Sequence, residues 1–205
     1  MNSGHTAERV FEVLKARILD REFRPGERLD PAHLASTLAA SVTPVRDALH
    51  LLTGEGLVES RPGGGFHLPP LDEPALRDRY EWASELLTLA LRNGSHTTKP
   101  YSSVEVASGS IASRIADLFL LIARSSRNGE HWRAVERLNA RLHAVRLVEP
   151  KVLTDAQEEL AELEDAILSG TRDRMRRLLQ IYHRRRVRAA AEIVRALYRA
   201  APAGH

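Results

Sequence analysis

Ser41, Thr43 and Arg46, followed by Arg61, Gly63, Gly64, Gly65 and His67, are the residues of this 205-residue chain whose types and spacing point most clearly to chemistry. An arginine side chain carries a two-pronged set of donors. It matches O6 and N7 of guanine in a major groove, or grips a phosphate. Hydroxyls at the positive end of a helix suit phosphate oxygens. A run of glycines lets backbone approach a duplex with no Cβ in the way. The chemistry implied is recognition of double-stranded DNA. Each residue also has a plainer reading. Arg46 could form a surface ion pair with Asp47 or Glu55, and His67 reads first as an exposed strand residue.

These residues need elements to hold them. Pro31 to Leu38 has the pattern of a short helix, with Pro31 where a missing N–H costs nothing. Ala39, Ala40 and Ser41 form a small-residue turn. A second helix is expected to open at Thr43-Pro44, with Thr43 as N-cap, and to close near Gly54. Val45, Leu49 and Leu52 give it one apolar face, which leaves Arg46 on the other side. Leu57 to Arg61 and Gly65 to Leu68 read as short strands around a glycine tip. An earlier helix, capped by Thr6, carries Val10, Phe11, Leu14, Ile18 and Leu19 as a stripe and ends at Phe23-Arg24-Pro25-Gly26. Helix, tight turn, helix and hairpin is the order of a winged helix-turn-helix, three helices plus a β-hairpin wing.

Pro69 to Pro74 is proline-rich and polar. The expected organisation is a DNA-binding domain over 1–69, a linker over 70–74 and a second domain over 75–205. The second part has helical stripes over Ala75–Leu91, Val104–Arg124, Glu130–Leu147, Thr154–Leu168 and Thr171–Tyr198, with a loop over Asn93–Ser103. The expected class is mainly α, with an antiparallel helical bundle following the winged helix.

Composition constrains partners loosely. The net charge is +3. Residues 1–69 hold eight Lys/Arg against nine Asp/Glu, or −1, so the remainder carries +4. The DNA reading therefore rests on local geometry. Aromatic content of 5% argues against a base-stacking RNA surface. Without cysteine, disulfides and thiolate metal sites are excluded, and a cytoplasmic setting fits. No apolar run approaches the ~18 residues of a membrane span, so no membrane partner is expected.

Residues 7–69 resemble the winged-helix domain of GntR-family bacterial transcription regulators. The resemblance is carried by Pro25-Gly26-Glu27-Arg28-Leu29, by Thr43-Pro44-Val45-Arg46-Asp47-Ala48-Leu49, by Gly54-Glu55-Gly56-Leu57-Val58 and by the glycine wing. It implies a homodimer on a short inverted repeat, with Arg46 as a base or phosphate contact. Two positions where the family often has arginine are Val42 and Ala32 here. Both changes remove positive charge from the DNA face.

The helical half resembles the FCD ligand-binding domain of the FadR subfamily, through Glu136-Arg137-Leu138 and Leu142 after Ser126-Arg127-Asn128, and through Ala166-Ile167-Leu168-Ser169-Gly170. In many such domains one Asp and three His bind a divalent metal. The matching positions here are Ile115, Phe119, Leu160 and Tyr182, with Asp117 and His183 one or two residues off. Neither a metal nor another cofactor is expected, and a site from Asp117, His143 and His183 is the weaker reading. The arginine that such domains use for a ligand carboxylate falls at Ala83. A small-molecule effector, if any, is therefore expected to be apolar or weakly polar and to meet Trp82, Phe119, Trp132 and Tyr182, which read more readily as core packing. Arg172 to Arg188 holds eight arginines and reads as a solvated or dimer-facing helix side, with a second DNA surface as alternative.

No phosphate loop, Ser/His/Asp spacing or paired carboxylate cleft supports an enzyme. The function expected is a sequence-specific, dimeric DNA-binding regulator, a repressor, modulated by a metabolite without metal. The alternative is an effector-independent regulator whose helical half only dimerises.

Overall fold

The computed structural model describes residues 3–94, 109–169 and 172–200. The expected loop over Asn93–Ser103 falls mostly outside them, as do Gly170 and Thr171. The chain forms two compact units, residues 1–71 and 72–199.

The first unit runs α1 (Ser3–Leu19), β1 (Arg28–Leu29), α2 (Pro31–Thr37), α3 (Val42–Gly54), β2 (Glu59–Arg61) and β3 (Gly65–His67). Helix α1 opens at Ser3, before the cap expected at Thr6. Its stripe of Val10, Leu14 and Ile18 is buried, and so are Val45, Ala48, Leu49 and Leu52 of α3, which α1 packs against. Asp30 caps α2, its carboxylate accepting from the N–H groups of Ala32 and His33. Ala39 adopts a left-handed φ of 48°, and that turns the chain sharply between α2 and α3.

Helix α3 begins one residue earlier than the sequence suggests. Ser41 is its N-cap residue and Thr43 lies in the first turn, so the expected Thr43 cap is corrected. The wing is also larger than a hairpin. β3 is the middle strand of an antiparallel sheet ordered β1-β3-β2, pairing Leu29 with Phe66 on one side and Ser60 with Phe66 on the other. Leu57 and Val58, expected in the strand, precede it and are buried.

The second unit contains α4 (Glu73–Arg92), α5 (Ile111–Arg124), α6 (Gly129–Arg146), a 3-10 turn at Glu149–Lys151, α7 (Ala156–Leu168) and α8 (Arg172–Arg199). Glu73 and Pro74, read in the sequence as linker, are instead the first turn of α4. The Asp72 side chain accepts from Ala75 N–H at 2.8 Å and starts the helix there. Helix α7 has Asp155 at its N-cap, not Thr154. Pro150 sits inside the 3-10 turn, where the missing N–H is tolerated.

Helices α4, α5, α6, α7 and α8 bury a common apolar core that includes Leu86, Ile115, Phe119, Leu163 and Leu179. Arg114 bridges α5 to α7 through a two-pronged pair with Glu164, at 2.9 and 2.7 Å. Among the described residues no helix is long and apolar enough to cross a membrane.

Leu52→Ala, which opens a gap in the fully buried face of α3, should cost about 2–5 kcal/mol. Urea unfolding followed by circular dichroism measures it; a loss below ~1 kcal/mol would mean that α3 is not packed as described.

Candidate nucleic-acid interface and buried polar cluster

The first turn of α3 brings together Ser41, Val42, Thr43 and Arg46, all exposed. The Ser41 hydroxyl makes no capping hydrogen bond, so it and the first-turn N–H groups stay available to an anion. Arg46 has no carboxylate partner among the described residues. The candidate partner Glu55 is held by Lys15 of α1 at 2.8 Å. One exposed acid, Asp47, shares the turn.

The wing is a separate constellation. Gly63 and Gly65 take left-handed φ values of 68° and 77°, which favour glycine. Gly64 N–H donates to Arg61 C=O at 3.0 Å and closes the turn, and a Cβ on Gly64 would stand 3.2 Å from Arg61 Cβ. Arg61 is tied to Glu59, Nε to Oε1 at 2.6 Å, so its charge is partly matched within the wing. His67 is half-buried, and its Nδ1 is buried without a hydrogen-bond partner, so it is not a freely exposed strand residue. The His50 ring of α3 meets Phe66 of β3 edge-on at 4.9 Å and links the helix to the wing sheet.

Arg28 was not singled out from the sequence as a contact. It pairs with His67 across β1 and β3, is exposed, and its Nε lies 3.9 Å from where a Cβ on Gly65 would stand. Its place at the wing follows from β1, too short a strand to be legible in the sequence.

The four aromatic residues expected to line an effector pocket do not all meet. Phe119 and Tyr182 are buried in edge-to-face contact, centroids 5.3 Å apart. Trp132 packs at the margin of the core with the guanidinium groups of Arg124 and Arg133 over its ring. Trp82 is 47% exposed and does not belong to the core cluster that holds Phe119 and Tyr182. Ile115, Phe119, Leu160 and Tyr182, the positions matched to metal ligands, belong to one core cluster. Among the described residues no three His, Asp or Glu side chains gather within reach of one ion.

The arginine run expected on a solvated or dimer-facing side of the last helix does not lie wholly there. Arg186 on α8 is fully buried, and so, at 1% exposure, is Arg146 on α6. Arg186 donates through Nε to Glu149 at 2.8 Å and through Nη1 to Glu159 at 2.7 Å. The Tyr80 hydroxyl donates to the other Glu149 oxygen at 2.7 Å. Burial alone would lower the Arg186 pKa; Glu149, Tyr182 and Glu159 together outweigh it and raise it. Arg146 donates to Asn139 Oδ1 at 2.9 Å, and Asn139 in turn donates to the Ala116 carbonyl at 2.9 Å. The Arg146 guanidinium also lies 5.1 Å from the Phe119 ring centre.

His183 is buried beside them. Its Nδ1 lies 2.7 Å from the Leu179 carbonyl, which only accepts, so the proton resides on Nδ1. Burial, reinforced by the charges of Arg186 and Arg146, pushes its pKa down to about 3, against a weaker opposing pull from that carbonyl. The ring is therefore neutral, with Nε2 as an acceptor.

Comparison with known proteins fits this geometry. Residues 6–68 match the family described as "Bacterial regulatory proteins, gntR family". The first unit carries a GntR-family winged helix. Over 70 residues, 34% of this chain and 33% of the relative, the GntR region is 41% identical to the Nta operon transcriptional regulator of Aminobacter aminovorans. Over 73 residues, 33% of this chain and 28% of the relative, it is 38% identical to the Uxu operon transcriptional regulator of Escherichia coli K12. The chain thus spans about a third of the length of the curated relatives it matches.

Two solved structures share the fold more widely. A structural-genomics crystal structure titled as a GntR transcriptional regulator from Rhodococcus sp. RHA1 aligns with TM-score 0.74 at 19% identity, covering 94% of this chain and 99% of that one. E. coli McbR/YncC aligns with TM-score 0.63 at 21% identity, covering 91% and 97%. At these identities the likeness speaks for the fold of the helical unit and nothing finer.

The neutral, buried His183 makes a pH prediction. Its folded pKa lies below its unfolded value of 6.5, so the unfolded chain takes up the proton first. Its contribution is complete above pH 6.5 and is lost as pH falls toward 3, by about 1.4 kcal/mol per pH unit for one proton. His183→Asn keeps a donor for Leu179 and removes the titration. Unfolding free energies at pH 7 and 5.5 should differ less in the variant than in the parent; equal slopes would show that His183 titrates normally.

Proposed function

We propose that this chain is a DNA-binding transcriptional regulator that acts as a homodimer on an inverted-repeat operator. Ser41, Thr43 and Arg46 contact the major groove and its phosphates, and Arg61, Gly63, Gly64, Gly65 and His67 present the wing, with Arg28 added to that group. The observation that carries this reading is the first turn of a GntR-type recognition helix, exposed and bearing an arginine with no carboxylate partner among the described residues. A single winged helix reads one short half-site, and a two-fold operator calls for a two-fold protein. Repression is the expected direction, by occlusion of a promoter. The reading is of a binding protein, not an enzyme.

The helical unit supplies dimerisation and, in the main reading, a seat for a small-molecule effector. The second reading, an effector-independent regulator, is favoured by the apolar filling of the four positions matched to metal ligands.

Arg46→Ala should weaken specific binding by about 1–3 kcal/mol while leaving the fold intact. The measurement is titration of a duplex selected from a random library, at fixed salt, with circular dichroism as the folding control. Unchanged affinity would remove Arg46 from the interface. Sedimentation of the full chain at tens of micromolar should give a dimer, and a monomer would count against the symmetric-operator reading.

A further inference from the structure

Among the described residues, the large apolar side chains that the first unit leaves exposed are Val13, Val42 and Leu51. A single exposed valine needs no explanation by itself. Val42 differs in its place. It is the first residue of α3, 38% exposed, and stands between the hydroxyls of Ser41 and Thr43.

Two observations fix the direction it faces. Val45, Ala48 and Leu49 have no exposed surface, so the rotation of α3 about its own axis is set by the core, and Val42 cannot turn inward without exposing them. Val42, Arg46 and His50 then recur every fourth residue, all exposed, and residues so spaced lie above one another on one helix face. The His50 ring, in edge contact with Phe66, ties the far end of that stripe to the wing sheet.

The turn therefore presents two kinds of chemistry to a major groove. Ser41, Thr43 and Arg46 carry polar groups that suit phosphate oxygens or base edges. Val42 has no donor or acceptor and gains nothing from a phosphate. The apolar group that a base pair offers in the major groove is the C5-methyl of thymine. Burying a valine methyl against it removes both from water and leaves no polar atom unpaired.

We propose that Val42 packs on the C5-methyl of a thymine and makes one position of each half-site thymine-specific. The proposal rests on the reading of the chain as a DNA-binding regulator and adds a base to it. Four residues of helix span ~6 Å, and base pairs stack about 3.4 Å apart, so that thymine lies within about two base pairs of the base that Arg46 meets.

The test uses the full chain and a duplex selected from a random library. Each thymine of the half-site is replaced in turn by deoxyuridine, which removes the methyl and keeps the hydrogen-bonding edge. At one position the affinity, titrated at fixed salt, should fall about fourfold per half-site, and about fifteenfold with both halves of a symmetric operator changed, as the loss of one buried methyl requires. Val42→Ser should lower the affinity for the thymine duplex to that for the uracil duplex and so abolish the difference. Thr43→Ser removes the other methyl of the turn, keeps the hydroxyl, and should leave the difference as it is.

Three results overturn the contact: no position at which uracil costs more than about twofold, a difference that persists in Val42→Ser, or one that vanishes in Thr43→Ser. Circular dichroism controls for folding; should Val42→Ser fail to fold, Val42→Ala takes its place with the same outcomes. A selected duplex that is indifferent to its thymine methyls loses the contact alone. Failure to select any duplex loses the regulator reading, and the contact with it.

Discussion

Arg186 has no exposed surface, and the helical unit holds it there only because Glu149 and Glu159 are brought to it from a 3-10 turn and from α7. Taking a guanidinium and a carboxylate out of water costs several kcal/mol per ion, and good geometry must offset it. The geometry extends beyond the pair. Tyr80 on α4 completes Glu149, and Arg185 binds the second oxygen of Glu159 at 3.0 Å. Helices α4, α7 and α8 and the turn that carries Pro150 are therefore fixed to one another by direction-dependent bonds as well as by apolar packing. A slip of α8 by one residue would take Arg186 away from both carboxylates and leave two fully buried charges, Arg186 and Glu149, without their ionic partners. The register of the bundle follows from that penalty.

The first unit is organised by the opposite means. Its core is apolar, made by one face each of α1 and α3 with Phe66 and Leu29 of the sheet, and its ions lie at the surface. Surface pairs of this kind are weak. What they do here is assign charges. Lys15 occupies Glu55 and Glu59 occupies Arg61, so among the described residues Arg46 is left on the first turn of α3 with no acid committed to it. Near-zero local charge is compatible with DNA binding when the few free cations are placed where the groove requires them.

Much of the fold was legible in the sequence because apolar spacing reports the face of a helix directly. Val45, Leu49 and Leu52 were read as one face and are fully buried, and the helical class of the second unit followed from the same periodicity. What failed to show had a physical reason each time. β1 is two residues long and has no period. The start of α3 moved to Val42 because helix geometry tolerates a β-branched residue in its first turn while Ser41 stays extended. Arg186 was read with its charged neighbours as part of a solvated or dimer-facing helix side. Yet Met175, Leu179, Tyr182, Arg186, Ala190 and Ile193 are spaced three or four apart and share one buried face. An arginine that falls on the core register of its helix is the signal that could have found it, and Arg146, four residues after Leu142 and seven after Asn139, repeats it on α6.

The contrast between the two buried arginines bears on what the helical unit is built for. If charge burial served the fold alone, Arg146 would be expected to have a carboxylate, as Arg186 does, or to be replaced by an apolar residue of similar volume, which is often neutral or stabilising. Instead its partners are an amide oxygen and an aromatic face, both weaker than an ion. Asn139 is itself pinned to the Ala116 carbonyl, so the guanidinium is aimed by a side chain that has no freedom to follow it. Counted together, the guanidinium groups of Arg146 and Arg186 stand against the carboxylates of Glu149 and Glu159, so the cluster is balanced although Arg146 touches neither acid.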